Sequence, residues 1–298
     1  MILSRKSIQG RIFTLLLILQ AALVVTGGAV RLTGSGLGCP TWPECTPGSY
    51  TPVPKQAEGQ LHAWIEFGNR LLTFLLLLVA LIALVIAVRV SKSVVNKSAI
   101  RSLALGQVLG IFGQGILGGI TVLTDLNPIP VAAHLLLSML LISGAASLRF
   151  AIVGIQTQKS DTIQTTLIRA QVFVTAGVLI LGTIVTGSGP HAGDEKTKRF
   201  SFDSRTVSVL HADFVIILSV ITIIVWLLNK NLKGVIYRRN NILLLIIFLQ
   251  GVIGYVQYFT GLPELLVGFH LLGSTLTWMA VWSLFKSINI KLIGGGSK

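Results

Sequence analysis

Charge is what this chain has least of. Asp, Glu, Lys and Arg make up 11% of its 298 residues, well below the share of about 25% found in soluble domains. A water-soluble globular domain is thereby excluded. Acidic residues are scarcer still, 10 against 24 basic ones, for a net charge of +14. In a soluble chain that excess would point to nucleic acid. Here the basic residues lie in short loops between apolar runs, where they orient a membrane protein. There are only two cysteines, Cys39 and Cys45, both in one loop. No small-residue cleavage site follows the first apolar run, so that run is expected to stay as a span. The final Gly-Gly-Gly-Ser-Lys is expected to be a flexible tail.

What the chain does have is long apolar runs. It is 52% hydrophobic, with a mean hydropathy of +0.81. A spanning helix needs about 20 apolar residues. Eight segments qualify, at about 11–31, 62–88, 100–124, 131–150, 167–187, 207–228, 241–260 and 265–285. The expected fold class is therefore an all-α membrane protein with eight transmembrane helices.

The connections alternate in charge. Arg5, Lys6 and Arg11; Arg89, Lys92, Lys97 and Arg101; Arg149, Lys159 and Arg169; Lys230, Lys233, Arg238 and Arg239; and Lys286, Lys291 and Lys298 all fall on one side. Glu44, Glu58, Asp125, Asp194, Glu195, Asp203 and Glu264 fall in the other loops, and Asp161 on the basic side. The positive-inside rule then puts both termini in the cytoplasm.

The chain also repeats itself. Thr33-Gly34-Ser35-Gly36 returns as Thr186-Gly187-Ser188-Gly189, and Leu61-His62-Ala63 as Leu210-His211-Ala212. Gln114-Gly115 and His134 return as Gln250-Gly251 and His270. Four helices per unit keep both units in the same orientation, a parallel internal repeat about an axis along the membrane normal. The expectation is two pseudo-symmetric four-helix bundles, residues 1–155 and 156–298, which break in the loop near 151–166.

Four histidines, His62, His134, His211 and His270, open helices 2, 4, 6 and 8, which all run from the outer to the inner side. Two imidazoles meeting across each bundle core would supply axial ligands to a haem iron. The competing reading is four lone interfacial histidines, which their duplicated positions and common depth disfavour. One histidine per helix, without clustered Cys or carboxylate ligands, does not suit zinc. No Cys-x-x-Cys-His motif is present, so any haem is held non-covalently. His191 has no counterpart in the repeat and is expected to be solvated or to cover a site.

Ionisable groups within a span are costly and usually functional. Glu66, one turn deeper than His62, could move protons, stabilise a cation, or pair with Arg70 four residues on. Registering His62 with His211 puts Val215 opposite Glu66, so the carboxylate belongs to the first half alone. Arg31 either meets haem propionates or snorkels to the interface. Gly115 and Gly119 read as a helix-packing motif. The Cys39–Cys45 spacing suits a small structural disulfide on the oxidising side, or a redox-active one.

The run TGGAVRLTGSGLGCPTWPEC, the WIEFGNR segment and the late histidines resemble the haem A synthase (CtaA) family over nearly the whole chain. That resemblance implies oxidation of the C8 methyl of haem O to a formyl group, making haem A for cytochrome oxidase. It implies a haem b cofactor on His211 and His270 in the C-terminal half. It also implies a substrate haem O site in the N-terminal half, with Glu66 catalytic and His134 at a functional position. Members commonly carry a histidine where this chain has Asn69, so His62 is expected to replace it, with Asn69, Arg70 and Arg31 lining the pocket. Cys39 and Cys45 match the family's extracytoplasmic pair. Expected partners are haem O, haem O synthase, membrane lipid and an electron acceptor that the sequence does not name; self-association stays open. The competing classes are a di-haem b-type electron-transfer protein linked to quinol, and a transporter.

Overall fold

The computed structural model describes residues 2–56, 59–90, 97–191 and 197–289. Glu58, Lys92, Asp194, Glu195, Lys291, Lys298, the glycine tail and the side chains of Arg5, Lys6 and Lys97 lie outside it. Among the described residues are eight long helices: α1 Ile2–Leu32, α2 Gln60–Val90, α3 Lys97–Leu123, α4 Pro128–Val153, α5 Thr162–Ser188, α6 Ser204–Asn229, α7 Val235–Phe259 and α8 Glu264–Lys286. Each is long and apolar enough to cross a bilayer. Helices satisfy every backbone donor internally, as hydrocarbon demands. The eight expected segments are all present, and most run a few residues further into the interface.

Helices α1 to α4 close a ring in which each touches the next and α4 returns to α1. Helices α5 to α8 do the same. The rings meet where α4 touches α8, with α1 against α8 matched by α5 against α4. That exchange pattern is what a two-fold axis beside the α4–α8 contact produces. The seam is polar: the Trp278 indole donates to Met139 O at 2.7 Å and Ser143 Oγ at 2.8 Å, and Trp282 donates to Ser147 Oγ at 2.9 Å.

Burial fixes the register of the repeat. Buried Leu76, Ala80, Ala83 and Ala87 of α2 match buried Leu218, Thr222, Val225 and Asn229 of α6, each 142 residues on. Buried Ile100, Ala104, Gln107 and Ile111 of α3 match Ile236, Asn240, Leu243 and Ile247 of α7, 136 on. Met139, Ile142, Ala145 and Leu148 of α4 match Thr275, Trp278, Val281 and Leu284 of α8 at the same spacing. Phe13, Leu17, Gln20 and Val24 of α1 match Gln164, Ile168, Gln171 and Thr175 of α5, 151 on. Even the turns agree: Leu126 donates to Thr121 O with φ 58°, and Leu262 to Gln257 O with φ 60°.

This register corrects the pairing of His62 with His211, which are 149 residues apart. At 142, the residue equivalent to His211 is Asn69, and Glu66 corresponds to Ser208 rather than Val215. Seven residues is two helical turns, so the mistaken register preserved the helix face and moved the depth by about 10 Å. The Thr-Gly-Ser-Gly match is also displaced, by two residues, because α5 runs on to Ser188 whereas α1 stops at Leu32 and turns through Gly34 at φ 66°.

Each bundle carries a buried amide network below its histidine level. In the first, Gln20 donates to Gln107, which donates to Leu141 O, both at 3.0 Å. In the second, Gln171 donates to Thr222 at 3.0 Å and to Asn240 at 3.2 Å, and Asn240 donates to Thr222 O at 2.9 Å. A further feature is a two-residue parallel pair, β1 Gln158–Lys159 with β2 Ile288–Asn289, tying the linker between the halves to the segment that follows α8. Gln171→Leu removes two inter-helical bonds, each worth about 0.6 kcal/mol or more in a bilayer. It should lower the thermal midpoint of the detergent-solubilised protein, followed by circular dichroism; an unchanged midpoint would remove the network from the forces that hold the second bundle.

Candidate functional site

His211 on α6 and His270 on α8 face each other across the second ring, their centroids 6.3 Å apart and their planes at 68°. His211 Nδ1 lies 3.0 Å from Val178 O of α5. A carbonyl only accepts, so Nδ1 carries the hydrogen and Nε2 keeps its lone pair. His270 Nδ1 is buried with no hydrogen-bond partner. Glycines back both rings: a Cβ at Gly182 would sit 3.4 Å from His211 Cε1, and one at Gly254 3.3 Å from His270 Cε1. One turn from Gly254, a Cβ at Gly251 would meet nothing within 4 Å.

These residues fit a bis-imidazole metal group. Two imidazoles on opposite sides of one metal, with bonds of about 2 Å, hold their ring centres about 6 Å apart. A free Nε2 on His211 and an unsatisfied buried histidine opposite are the donor chemistry such a group needs.

The first ring reproduces one side of this arrangement. His134 on α4 packs against Gly118 of α3, whose Cβ would lie 3.4 Å from Nε2, and Gly115 again faces open space. Gly118 and His134 are the repeat equivalents of Gly254 and His270. The other side differs. Asn69 stands at the His211 position, with Thr26 Oγ1 donating to its Oδ1 at 2.7 Å. His62 lies two turns outward, its Nδ1 2.8 Å from Ser35 Oγ. Among the described residues His211–His270 is the only histidine ring pair, so the structure does not bring His62 to His134.

Glu66 sits one turn outward of Asn69 and is 6% exposed. Its Oε1 receives Arg70 Nη2 at 2.6 Å and Nε at 3.2 Å, and its Oε2 receives the Cys39 N–H at 2.6 Å. Arg70 also donates to the carbonyls of Cys39, Thr41, Pro43 and Glu44. One guanidinium therefore grips the loop that Cys39 and Cys45 close as a disulfide, both sulfurs buried. Trp42 of this loop lies flat against Gly119 of α3, where any side chain would strike the ring. The expected Gly115–Gly119 packing pair is thus two separate devices, an open strip and a seat for Trp42. Helix α3 packs on α4 through Gly110 and Gly113, against Leu141 and Leu137.

Arg31 crosses to the second half, donating to His191 O at 2.5 Å and Thr186 O at 2.6 Å. His191 is partly buried, its Nε2 2.6 Å from Leu262 O, so it ties the α5–α6 loop to the α7–α8 turn rather than standing in solvent. Sequence reasoning passed over Asp213, an exposed carboxylate inside the α6 span two residues after His211. Its signal was plain: an ionisable group within an apolar run.

Eight membrane helices in two like bundles, one with opposed histidines, define a duplicated membrane protein built around a facing imidazole pair. Residues 10–193, more than half of the chain, match the COX15-CtaA family model, described as cytochrome oxidase assembly protein, and the chain belongs to that family. It is similar to "Heme A synthase" of Shewanella oneidensis, 31% identical over 57% of this chain and 53% of that one. It is likewise similar to "Heme A synthase" of Geobacillus thermodenitrificans, 31% identical over 40% and 35%, and of Lysinibacillus sphaericus, 33% identical over 40% and 36%. The matched stretch thus spans about a third to a half of these relatives.

The grip of Arg70 on the disulfide loop is testable without substrate. Charge-assisted bonds are worth about 1.5–3 kcal/mol each, and about 1.4 kcal/mol is tenfold in an opening equilibrium. Arg70→Gln should speed reduction of the Cys39–Cys45 disulfide by dithiothreitol, read by alkylation of the freed thiols, at least tenfold. An unchanged rate would show that the loop is held by other contacts.

Proposed function

We propose that this protein is a haem A synthase, an oxidoreductase that converts the C8 methyl of haem O to a formyl group. The opposed His211 and His270 rings carry the proposal, supported by the family match and by relatives bearing that name. His211 and His270 would hold a haem b in the half spanning 156–298. Held by two imidazoles, that group would supply electron transfer rather than oxygen activation. The half spanning 1–155 takes the substrate, haem O, with His134 as its iron ligand and Glu66, Asn69 and Arg70 beside the macrocycle.

The substrate methyl is oxidised first to the alcohol, then to the geminal diol, which loses water to give the aldehyde. Each oxidation takes its oxygen from a water molecule and releases two electrons and two protons, the electrons leaving to an external acceptor. Glu66 is the acid–base candidate, since it is the buried carboxylate next to Asn69. Its Oε1 is filled by Arg70, but Oε2 accepts only the Cys39 N–H and keeps a lone pair for a proton, which places proton movement beside the loop. Arg31 donates through Nε and Nη2 to carbonyls across the seam, which favours a role in joining the halves over propionate binding. The orientation rests on the basic loops: both termini cytoplasmic, and the histidine end extracytoplasmic, where the Cys39–Cys45 disulfide is stable.

The test is co-expression with a haem O source, followed by haem extraction and chromatography. Wild type should yield haem B and haem A. Glu66→Gln should keep its haem content and lose conversion by about 10² or more, the usual scale for a missing acid–base group. Normal conversion by Glu66→Gln would remove that residue from the chemistry. Two bound haems with no formyl product from wild type would leave a di-haem electron-transfer protein instead.

A further inference from the structure

The two halves share one scaffold but not one ligand set. At the level of His134 and His270 the register is fixed by the matched burial of α4 and α8 and by the glycines behind the rings. Across from them the second half offers His211 and the first offers Asn69, which share the depth set by the buried stripes of α2 and α6. Both reach the same level of their neighbour helix. Asn69 bonds Thr26 of α1, and His211 bonds Val178 of α5, which the repeat places on Gly27, the residue after Thr26.

Asn69 is a poor replacement for imidazole. Its carboxamide oxygen is a hard donor, suited to calcium or magnesium rather than porphyrin iron, and it already accepts from Thr26. His62 does not fill the gap. It corresponds to Ser204, the first residue of α6, and is about 10 Å outward of Asn69 along the helix. Its ring is bonded to Ser35 at the start of the disulfide loop.

We infer that the first half offers its haem one imidazole, His134, and that the iron face toward Asn69 is left open to a small neutral ligand such as carbon monoxide or dioxygen. The second half, with His211 and His270, is closed to such ligands. This rests on the haem reading above and adds to it where an exogenous ligand enters. Asn69 would then be a positioning residue: its amide, anchored by Thr26, borders the open face without occupying it.

The test uses purified full-length protein with its bound haems, reduced by dithionite, and carbon monoxide difference spectroscopy. Wild type should bind carbon monoxide at about half of its haem, the other half staying six-coordinate. Asn69→His should abolish that binding and, in the oxidised protein, add a second bis-imidazole low-spin signal in electron paramagnetic resonance. Asn69→Ala, which has no ligand to give, should keep carbon monoxide binding, as should His62→Ala. The inference is overturned if wild type with two haems refuses carbon monoxide, or if binding appears only once His62 is removed. A protein that refuses carbon monoxide yet still makes haem A would sink this inference alone. One that binds no haem would sink both readings.

Discussion

Depth is the constraint on which everything else rests. A spanning helix cannot slide against its neighbours without misplacing polar groups that have no water to turn to. The amide networks, Gln20 with Gln107 and Gln171 with Thr222 and Asn240, act as pins below the histidines. From each pin the helix rises 1.5 Å per residue, so the level of every ring is set by contacts two or three turns away. That is how His211 and His270 come to face each other although their helices are not neighbours in the ring. It is also why Asn69, not His62, shares the His211 level.

On this common frame the halves have been furnished differently at their loop-bearing ends. Residues 33–59 connect α1 to α2, whereas only residues 189–203 connect α5 to α6. The longer loop is bound to α2 by the Glu66–Arg70 pair, whose equivalents in α6, Ser208 and Ala212, have nothing with which to grip. The ion pair, its carboxylate buried and its guanidinium partly so, is satisfied by five loop groups, one N–H and four carbonyls, which offsets the cost of burying charge. The shorter loop is held instead by Arg31 and His191, both acting through backbone carbonyls.

Much of this was legible in the sequence, because hydrocarbon forces simple patterns. Eight apolar runs gave eight helices, and the repeated Gln-Gly and His of α3–α4 and α7–α8 gave the parallel duplication. The cysteine spacing was compatible with the disulfide that forms. The failure is equally physical. Leu61-His62-Ala63 and Leu210-His211-Ala212 are identical by chance of composition, and a seven-residue slip is invisible to any argument from helix faces. Only the buried stripe, Leu76 to Ala87 against Leu218 to Asn229, separates the two registers, and burial is a property of the fold. Loop contacts were unreadable for the same reason: nothing local says that Arg70 collects four carbonyls or that Trp42 needs Gly119 bare.

The placement of the better-matched histidines has a consequence for coupling between halves. His134 and His270 ride on α4 and α8, the two helices that touch at the pseudo-two-fold axis. There the indoles of Trp278 and Trp282 stack with centroids 6.0 Å apart and bond to Met139, Ser143 and Ser147 of α4. The divergent residues, Asn69 and Glu66, are on α2, at the periphery. Duplication followed by change on the outer helices keeps the shared seam rigid and lets one pocket alter its chemistry. If electrons pass from one half to the other, the helices bearing the matched histidines are those least free to move apart.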